Sequence, residues 1–232
     1  MQDEMSIIHL TVTEENYLKE IYSLAREGSR KIPNLQIGQR LGTNPPTVTE
    51  MLRKLADKGL IAYSRTDGAS LTEDGEILAL QVIRKHRLWE TFLVKTLGFK
   101  WDEVHEVAEQ LEHIRSQKLL DELDHFLGHP EFDPHGEPIP NALGIMPVQE
   151  AVPLSSCRPG DKVQLLSVAN HRQEFLQDLE EKGIQLKTTM ELMGYSQDKS
   201  LISLRLENGT EMELAAAAGN SLLVTRLENQ AF

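Results

Sequence analysis

Apolar positions along the chain change period twice, and the changes divide it into a helical head, a helical middle and a strand-rich tail. Over residues 13–27, Tyr17, Leu18, Ile21, Tyr22, Leu24 and Ala25 recur at helical spacing. Thr11 or Thr13 suits the N-cap, Glu14 and Glu15 suit the first turn, and Gly28 suits the stop. A short helix is predicted over 34–41, with Leu35, Ile37 and Leu41 facing inward. A third runs from Asn44 as cap, through Pro45 at its first position, to Gly59, burying Val48, Met51, Leu52 and Leu55. Two apolar runs then flank Arg65-Thr66-Asp67-Gly68, a hairpin signal. Three helices and a hairpin predict a winged helix-turn-helix over 1–75.

Thr72 caps the next predicted helix, which extends to about Leu97 and carries Ile77, Leu80, Ile83, Leu88, Phe92 and Leu93 on more than one face. So broad an apolar surface predicts a buried interface, and a helical hairpin of this kind suits an isologous homodimer. After the Gly98 break, Asp102 is the expected cap of a helix reaching about Ser116, and a further helix is predicted over 117–127, ending at Gly128. This helical domain is expected over 76–145. Residues 129–140, H-P-E-F-D-P-H-G-E-P-I-P, are too proline-rich to continue a helix, and His135 there reads as a structural or exposed loop histidine. From Val152 on, five short apolar runs with turn signals predict a small antiparallel β-barrel over 150–232. A single helical segment from His171 to Gly183 interrupts it.

A net charge of -12 argues against bulk nucleic-acid binding, but most of the surplus acid lies after Gly75, leaving a near-balanced head. The DNA-reading candidates are Asn44, Pro46, Thr47, Thr49 and Glu50 toward the major groove, Arg53 and Lys54 toward phosphates, and Arg65 on the wing. Winged helices also serve as protein-interaction modules. No apolar run approaches the ~20 residues of a membrane span, and M-Q-D-E-M-S lacks the character of a signal peptide. The single cysteine, Cys157, offers neither an internal disulfide nor a Cys-rich zinc site, so a cytoplasmic protein without membrane partners is expected.

Chemistry concentrates between Ile83 and His113. His86 and Glu90 are four residues apart and share a helical face. On the next predicted helix His105, Glu109, Glu112 and His113 fall within an arc of roughly 100°. Imidazole and carboxylate on facing helices suit a borderline divalent ion, against the plainer alternative of a solvated acidic face with incidental histidines.

V-I-R-K-H-R-L-W-E (82–90), V-H and A-E-Q-L-E-H (104–113), D-P-H-G-E-P-I-P (133–140) and P-P-T-V-T from Pro45 together resemble the diphtheria toxin repressor family of metal-dependent transcriptional repressors, over nearly the full length. The resemblance implies a homodimer that binds palindromic double-stranded operators of metal-homeostasis genes when metal is bound, with an SH3-like C-terminal domain. It implies two metal sites per subunit. Glu109, Glu112 and His113 would form the primary site with a first-helix residue, at Asn16. His86, Glu90 and His105 would form the ancillary site with His171 and Glu174. Iron-responsive relatives place cysteine where this chain has Glu109, so the site is closer to the manganese transport regulator type, and Mn2+ moves ahead of Fe2+. Two departures stand in the first helix: Asn16, where relatives have Met or Asp, and Lys19, where manganese regulators have Glu. Lys19 cannot ligate while protonated, so the primary site is expected to be weaker, to change its ligand number, or to take Glu15 or Glu20 as a substitute donor.

Two other classes are weighed. A metal-dependent hydrolase would need a substrate cleft and a nucleophile, but the chain has no H-E-x-x-H motif, phosphate-cradling Gly loop or nucleophile elbow, so an enzyme is not expected. A winged-helix regulator responding to an organic ligand would leave His86 and His105 as core polar residues.

Overall fold

The computed structural model describes residues 9–28 and 30–227. Its internal contacts divide the chain into two units.

The first unit comprises the chain up to His86, together with Glu112–Arg115 and Pro140–Ile145. It contains α1 (Val12–Arg26), α2 (Asn34–Arg40), α3 (Pro45–Asp57), the hairpin β1 (Ile61–Ser64) and β2 (Gly68–Leu71), and the N-terminal half of α4 (Glu73–Leu97). Thr11 caps α1 through a reciprocal box. Its hydroxyl accepts from the Glu14 N–H at 3.3 Å, and its own N–H donates to the Glu14 carboxylate at 2.8 Å. That carboxylate is buried and also faces Lys58 Nζ at 2.7 Å. Burial pushes its pKa up, but the Lys58 and Thr11 hydrogen bonds outweigh it and hold the group at about 2. Asn44 caps α3 by accepting from Thr47 N–H at 3.1 Å, with Pro45 at the first helical position as expected.

Leu18, Ile21, Ile32, Ile37, Leu52 and Leu55 fill the core of this unit. Leu35, expected inside, is 62% exposed. Positions 35 and 37 lie about 200° apart around a helix, so only one can face the core, and Ile37 takes that side. Thr72 caps α4 as predicted, accepting from Gly75 N–H at 3.2 Å and donating to Gly59 O at 2.8 Å. Here Gly75 is indispensable, because a Cβ on it would lie 1.9 Å from Leu60 O.

The second unit contains the rest of α4, α5 (Val104–Leu111), α6 (Gln117–Phe126) and the C-terminal strands. Helix α5 is shorter than the periodicity predicts, so Glu112 and His113 belong to the turn after it, not to its face. Their side chains engage the first unit's own residues, described below, which an unbroken helix need not permit. Asp102, expected as the α5 cap, sits two residues upstream of it and accepts from Gln177 Nε2 at 2.8 Å.

The five predicted C-terminal runs are strands β4 (Lys162–Val168), β5 (Thr189–Tyr195), β6 (Leu201–Leu206), β7 (Glu211–Ala215) and β8 (Leu222–Arg226). A two-residue edge strand, β3 (Val152–Pro153), is too short to carry a period and joins them in the antiparallel order β3-β8-β4-β5-β6-β7. Val163, Leu165, Leu192, Ile202, Leu204 and Val224 line its core, and α7 (Gln173–Glu181) adds Leu176 and Leu179. His171 precedes the N-cap Arg172, so His171 and Glu174 do not share the helical face their spacing suggested. No helix among the described residues is long and apolar enough to cross a membrane.

Gly75→Ala tests the close approach of α4 to Leu60. The strained contact should cost about 1–3 kcal/mol, seen as a lower denaturation midpoint, whereas Gly98→Ala, with no neighbour within 4 Å of its added Cβ, tests only the effect of its φ of +74°.

Candidate metal centres and nucleic-acid interface

The first cluster lies wholly in the first unit. Glu112 is fully buried, and both of its oxygens are engaged: Lys19 Nζ donates to Oε1 at 2.7 Å, and His86 Nδ1 lies 2.5 Å from Oε2. His113 turns Nδ1 to Glu15 Oε2 at 2.5 Å and Nε2 toward Glu112 Oε1 at 3.7 Å. Lys85 Nζ approaches the other Glu15 oxygen at 3.7 Å. Burial raises the Glu112 pKa, but the His86 hydrogen bond and the Lys19 charge outweigh it and leave it lowered. Glu15 and Lys19, four residues apart on α1, bring that helix's charges to this network. Asn16, the expected first-helix donor, has a buried Oδ1 with no hydrogen-bond partner, while Glu15 is the α1 carboxylate on the His113 imidazole. Glu109 is half-exposed on α5, 3.6 Å from His105 Nε2.

The second cluster lies wholly in the second unit and is assembled from four parts of the chain. Glu90 on α4, one helical turn after His86, is fully buried. Its Oε1 lies 3.3 Å from His105 Nδ1 on α5, and its Oε2 lies 3.5 Å from His135 Nδ1. His135 stacks on His171 at 4.3 Å, and His171 meets His105 edge-on at 5.1 Å. Donor atoms of Glu90, His135 and His171 all lie within 4.8 Å of one another. Glu174 is exposed on the first turn of α7.

His135 is therefore not an exposed loop histidine but a fully buried one. Its loop is fixed from within. Asp133 Oδ1 accepts from His135 N–H at 2.8 Å and Glu137 N–H at 2.9 Å, and the His135 carbonyl accepts from Val168 N–H at 2.9 Å. Gly136 holds a φ of +80°, and a Cβ on it would lie 1.9 Å from Leu166 O. The signal in D-P-H-G-E was its Asx-turn composition around a glycine, which pins the histidine between two prolines. His135 Nε2–H donates to Trp101 O at 2.7 Å, which aims Nδ1 at Glu90.

This cluster holds the carboxylates of Glu90, Asp133 and Glu137 against few cations. Arg87 is the central one, 3.0 Å from Glu137 and 3.5 Å from Asp133. Burial, then the nearby Glu90 and Glu137 charges, push the Asp133 pKa up to about 7. Burial lowers His135, but the Glu90 carboxylate 3.5 Å away and the surrounding carboxylates prevail and raise it to about 9. Burial holds His171 down at about 4, with Glu137 opposing and His135 adding to the depression. Asp133 Oδ2 and His135 Nδ1 are buried with no hydrogen-bond partner. Excess buried acid, imidazole nitrogens and unsatisfied polar atoms all fit a divalent cation.

On the winged helix, Asn44, Pro46, Thr47, Glu50 and Arg53 are exposed along α3, as is Arg65 in the hairpin turn. Thr49 is half-buried and accepts from Asn34 Nδ2 at 3.1 Å. Lys54 is exposed and faces Glu14 at 3.4 Å.

A winged helix-turn-helix in a chain with buried imidazole–carboxylate clusters defines a DNA-binding regulator equipped with metal donors. Residues 9–69 match the model of the iron dependent repressor N-terminal DNA binding domain, and residues 72–141 match that of its metal binding and dimerisation domain. The chain is 38% identical over 140 residues to the iron-dependent repressor IdeR of Mycobacterium tuberculosis, a match that spans 60% of each protein. It is 29% identical over 230 residues to the diphtheria toxin repressor of Corynebacterium glutamicum, covering 94% of this chain and 98% of that one. A manganese-dependent transcriptional repressor solved in complex with manganese shares 34% identity and a TM-score of 0.87, covering 92% of this chain and 100% of the other. ScaR with bound Zn2+ shares 35% identity and a TM-score of 0.80, over 92% of this chain and 99% of its own. The chain belongs to the diphtheria toxin repressor family of metal-dependent transcriptional repressors, which are regulators and not enzymes.

Arg87→Met in the metal-free protein should cost about 3–5 kcal/mol, because it strands buried carboxylates. Chemical denaturation measures it. Lys31→Met, which removes an exposed partner of Asp67, should leave the midpoint nearly unchanged.

Proposed function

We propose that this chain is a homodimeric repressor, activated by Mn2+ in preference to Fe2+, that binds palindromic operators of metal-homeostasis genes in the cytoplasm. The observation that carries this reading is the pair of imidazole–carboxylate clusters: His86 and His113 on Glu112 and Glu15 in the first unit, and Glu90 with His135 and His171 in the second. The primary site takes Glu112 and His113 from the turn after α5, Glu109 from α5 as the resemblance implies, and Glu15 or Asn16 from α1. The ancillary site takes His86, Glu90, His105 and His171, and gains His135. Glu174, exposed on α7, is left out.

Every donor in these sets is nitrogen or oxygen, and a carboxylate stands where iron-responsive relatives carry sulfur. That favours a harder ion, so Mn2+ ranks ahead of Fe2+. When bound, the ion would supply a divalent charge to offset the clustered carboxylates. The protein's own residues do the rest. Glu15 and Asn16 carry that constraint into α1. The capped α3 presents Asn44, Pro46, Thr47, Thr49 and Glu50 to base edges, while Arg53, Lys54 and Arg65 meet phosphates. Exposed Leu119 and Phe126 on α6, 42% and 66% accessible, supply apolar surface for the second subunit.

Fluorescence anisotropy on the protein's own promoter fragment tests the reading. Mn2+ should raise affinity at least tenfold, about 1.4 kcal/mol. Glu109→Ala and Glu112→Ala should lose that gain while remaining dimers by light scattering. No metal-dependent gain, with and without oxygen, would sink it.

A further inference from the structure

Lys19 stands where a cation is needed. Its Nζ lies 2.7 Å from Glu112 Oε1, its side chain is only 16% exposed, and its carboxylate partner is fully buried. The opposite oxygen of Glu112 is taken up by His86 at 2.5 Å. His113 is held on Glu15, with its other nitrogen 3.7 Å from the same Oε1 that Lys19 occupies. The side chains that could grip an ion here are thus already joined to one another or to an ammonium group. Charge-assisted hydrogen bonds to a buried carboxylate are short and strong, and leaving such a carboxylate without a cation is costly.

We propose that Lys19 is a resident cation of the first cluster: it competes with the metal ion for Glu112 Oε1 and thereby sets the free-metal concentration at which the site fills. The inference rests on reading Glu112 as a metal donor and adds a determinant of affinity to it. An ion can use Oε1 only in the fraction of molecules whose Lys19 has swung away, so the apparent affinity is the intrinsic affinity reduced by that fraction. The same contact stabilises the metal-free fold. An arginine at 19 preserves both effects, while methionine, of similar length without charge, removes both.

The experiment follows free Mn2+ by its aqueous electron paramagnetic resonance signal in titrations of wild type, Lys19→Met, Lys19→Arg and Glu112→Gln, with thermal midpoints of the metal-free proteins alongside. Lys19→Met should tighten one class of sites by about tenfold, leave the other unchanged and lower the metal-free midpoint. Lys19→Arg should resemble wild type in both measurements. Should methionine disturb the fold, Lys19→Gln supplies the same readout. If the uncharged variants bind Mn2+ as wild type does while Glu112→Gln loses a site, Glu112 is a donor but Lys19 is no competitor, and the inference is overturned alone. If Glu112→Gln keeps every site, the metal assignment of the first cluster falls and the inference falls with it.

Discussion

Compensation of buried carboxylate charge is the constraint around which this protein is arranged. Glu14, Glu90 and Glu112 are fully buried, and Asp133 is nearly so. Such groups are tolerable only with cations or several hydrogen bonds close by. Glu14 meets the requirement with a helix cap and an ammonium group: it closes the α1 capping box and sits under Lys58. Glu90 and Glu112 differ because their compensation includes histidine side chains. The same residue type thus serves as a structural lock in one place and as a candidate donor in two others, and the identity of the neighbours decides which.

The backbone is tailored to deliver these groups. Gly75 lets α4 start against Leu60, which fixes the origin of the helix that carries Lys85, His86, Arg87 and Glu90. Gly136 lets the proline-bracketed loop lie against the Leu166 carbonyl, which fixes His135. In both places the side chain is missing because backbone oxygen lies 1.9 Å from where a Cβ would be. The polar centres therefore rest on steric requirements outside themselves, since a methyl group at either glycine would collide with backbone.

Much of this was legible in the sequence. Caps at Thr11, Asn44 and Thr72, the hairpin around Arg65–Gly68 and five of the six C-terminal strands follow local rules, so periodicity and turn chemistry are enough to find them. The misses are tertiary. Periodicity carries α5 on through Ser116, but the chain leaves the helix at Leu111, where burial of Glu112 on Lys19 and His86 competes with one more helical turn. His135 looked like a loop residue because nothing local says that Trp101, His171 and Glu90 will enclose it. Lys19 was visible only as a departure from relatives; its partnership with Glu112 spans 93 residues and has no sequence signature.

The two clusters offer similar donors but rest in different states. In the first, Glu112 and His113 are occupied by lysine, histidine and carboxylate partners, and the fixed cations Lys19 and Lys85 stand beside Glu112 and Glu15. In the second, the central cation, Arg87, lies toward Asp133 and Glu137, while His135 Nδ1 and Asp133 Oδ2 have no hydrogen-bond partner. On the proposed reading, an ion would have to displace an existing partner in the first cluster, whereas in the second it would meet Asp133 Oδ2, a buried oxygen with no hydrogen-bond partner. Donor chemistry alone would rank the two sites together. The residues that surround the donors separate them, and they do so through charges that belong to the protein itself.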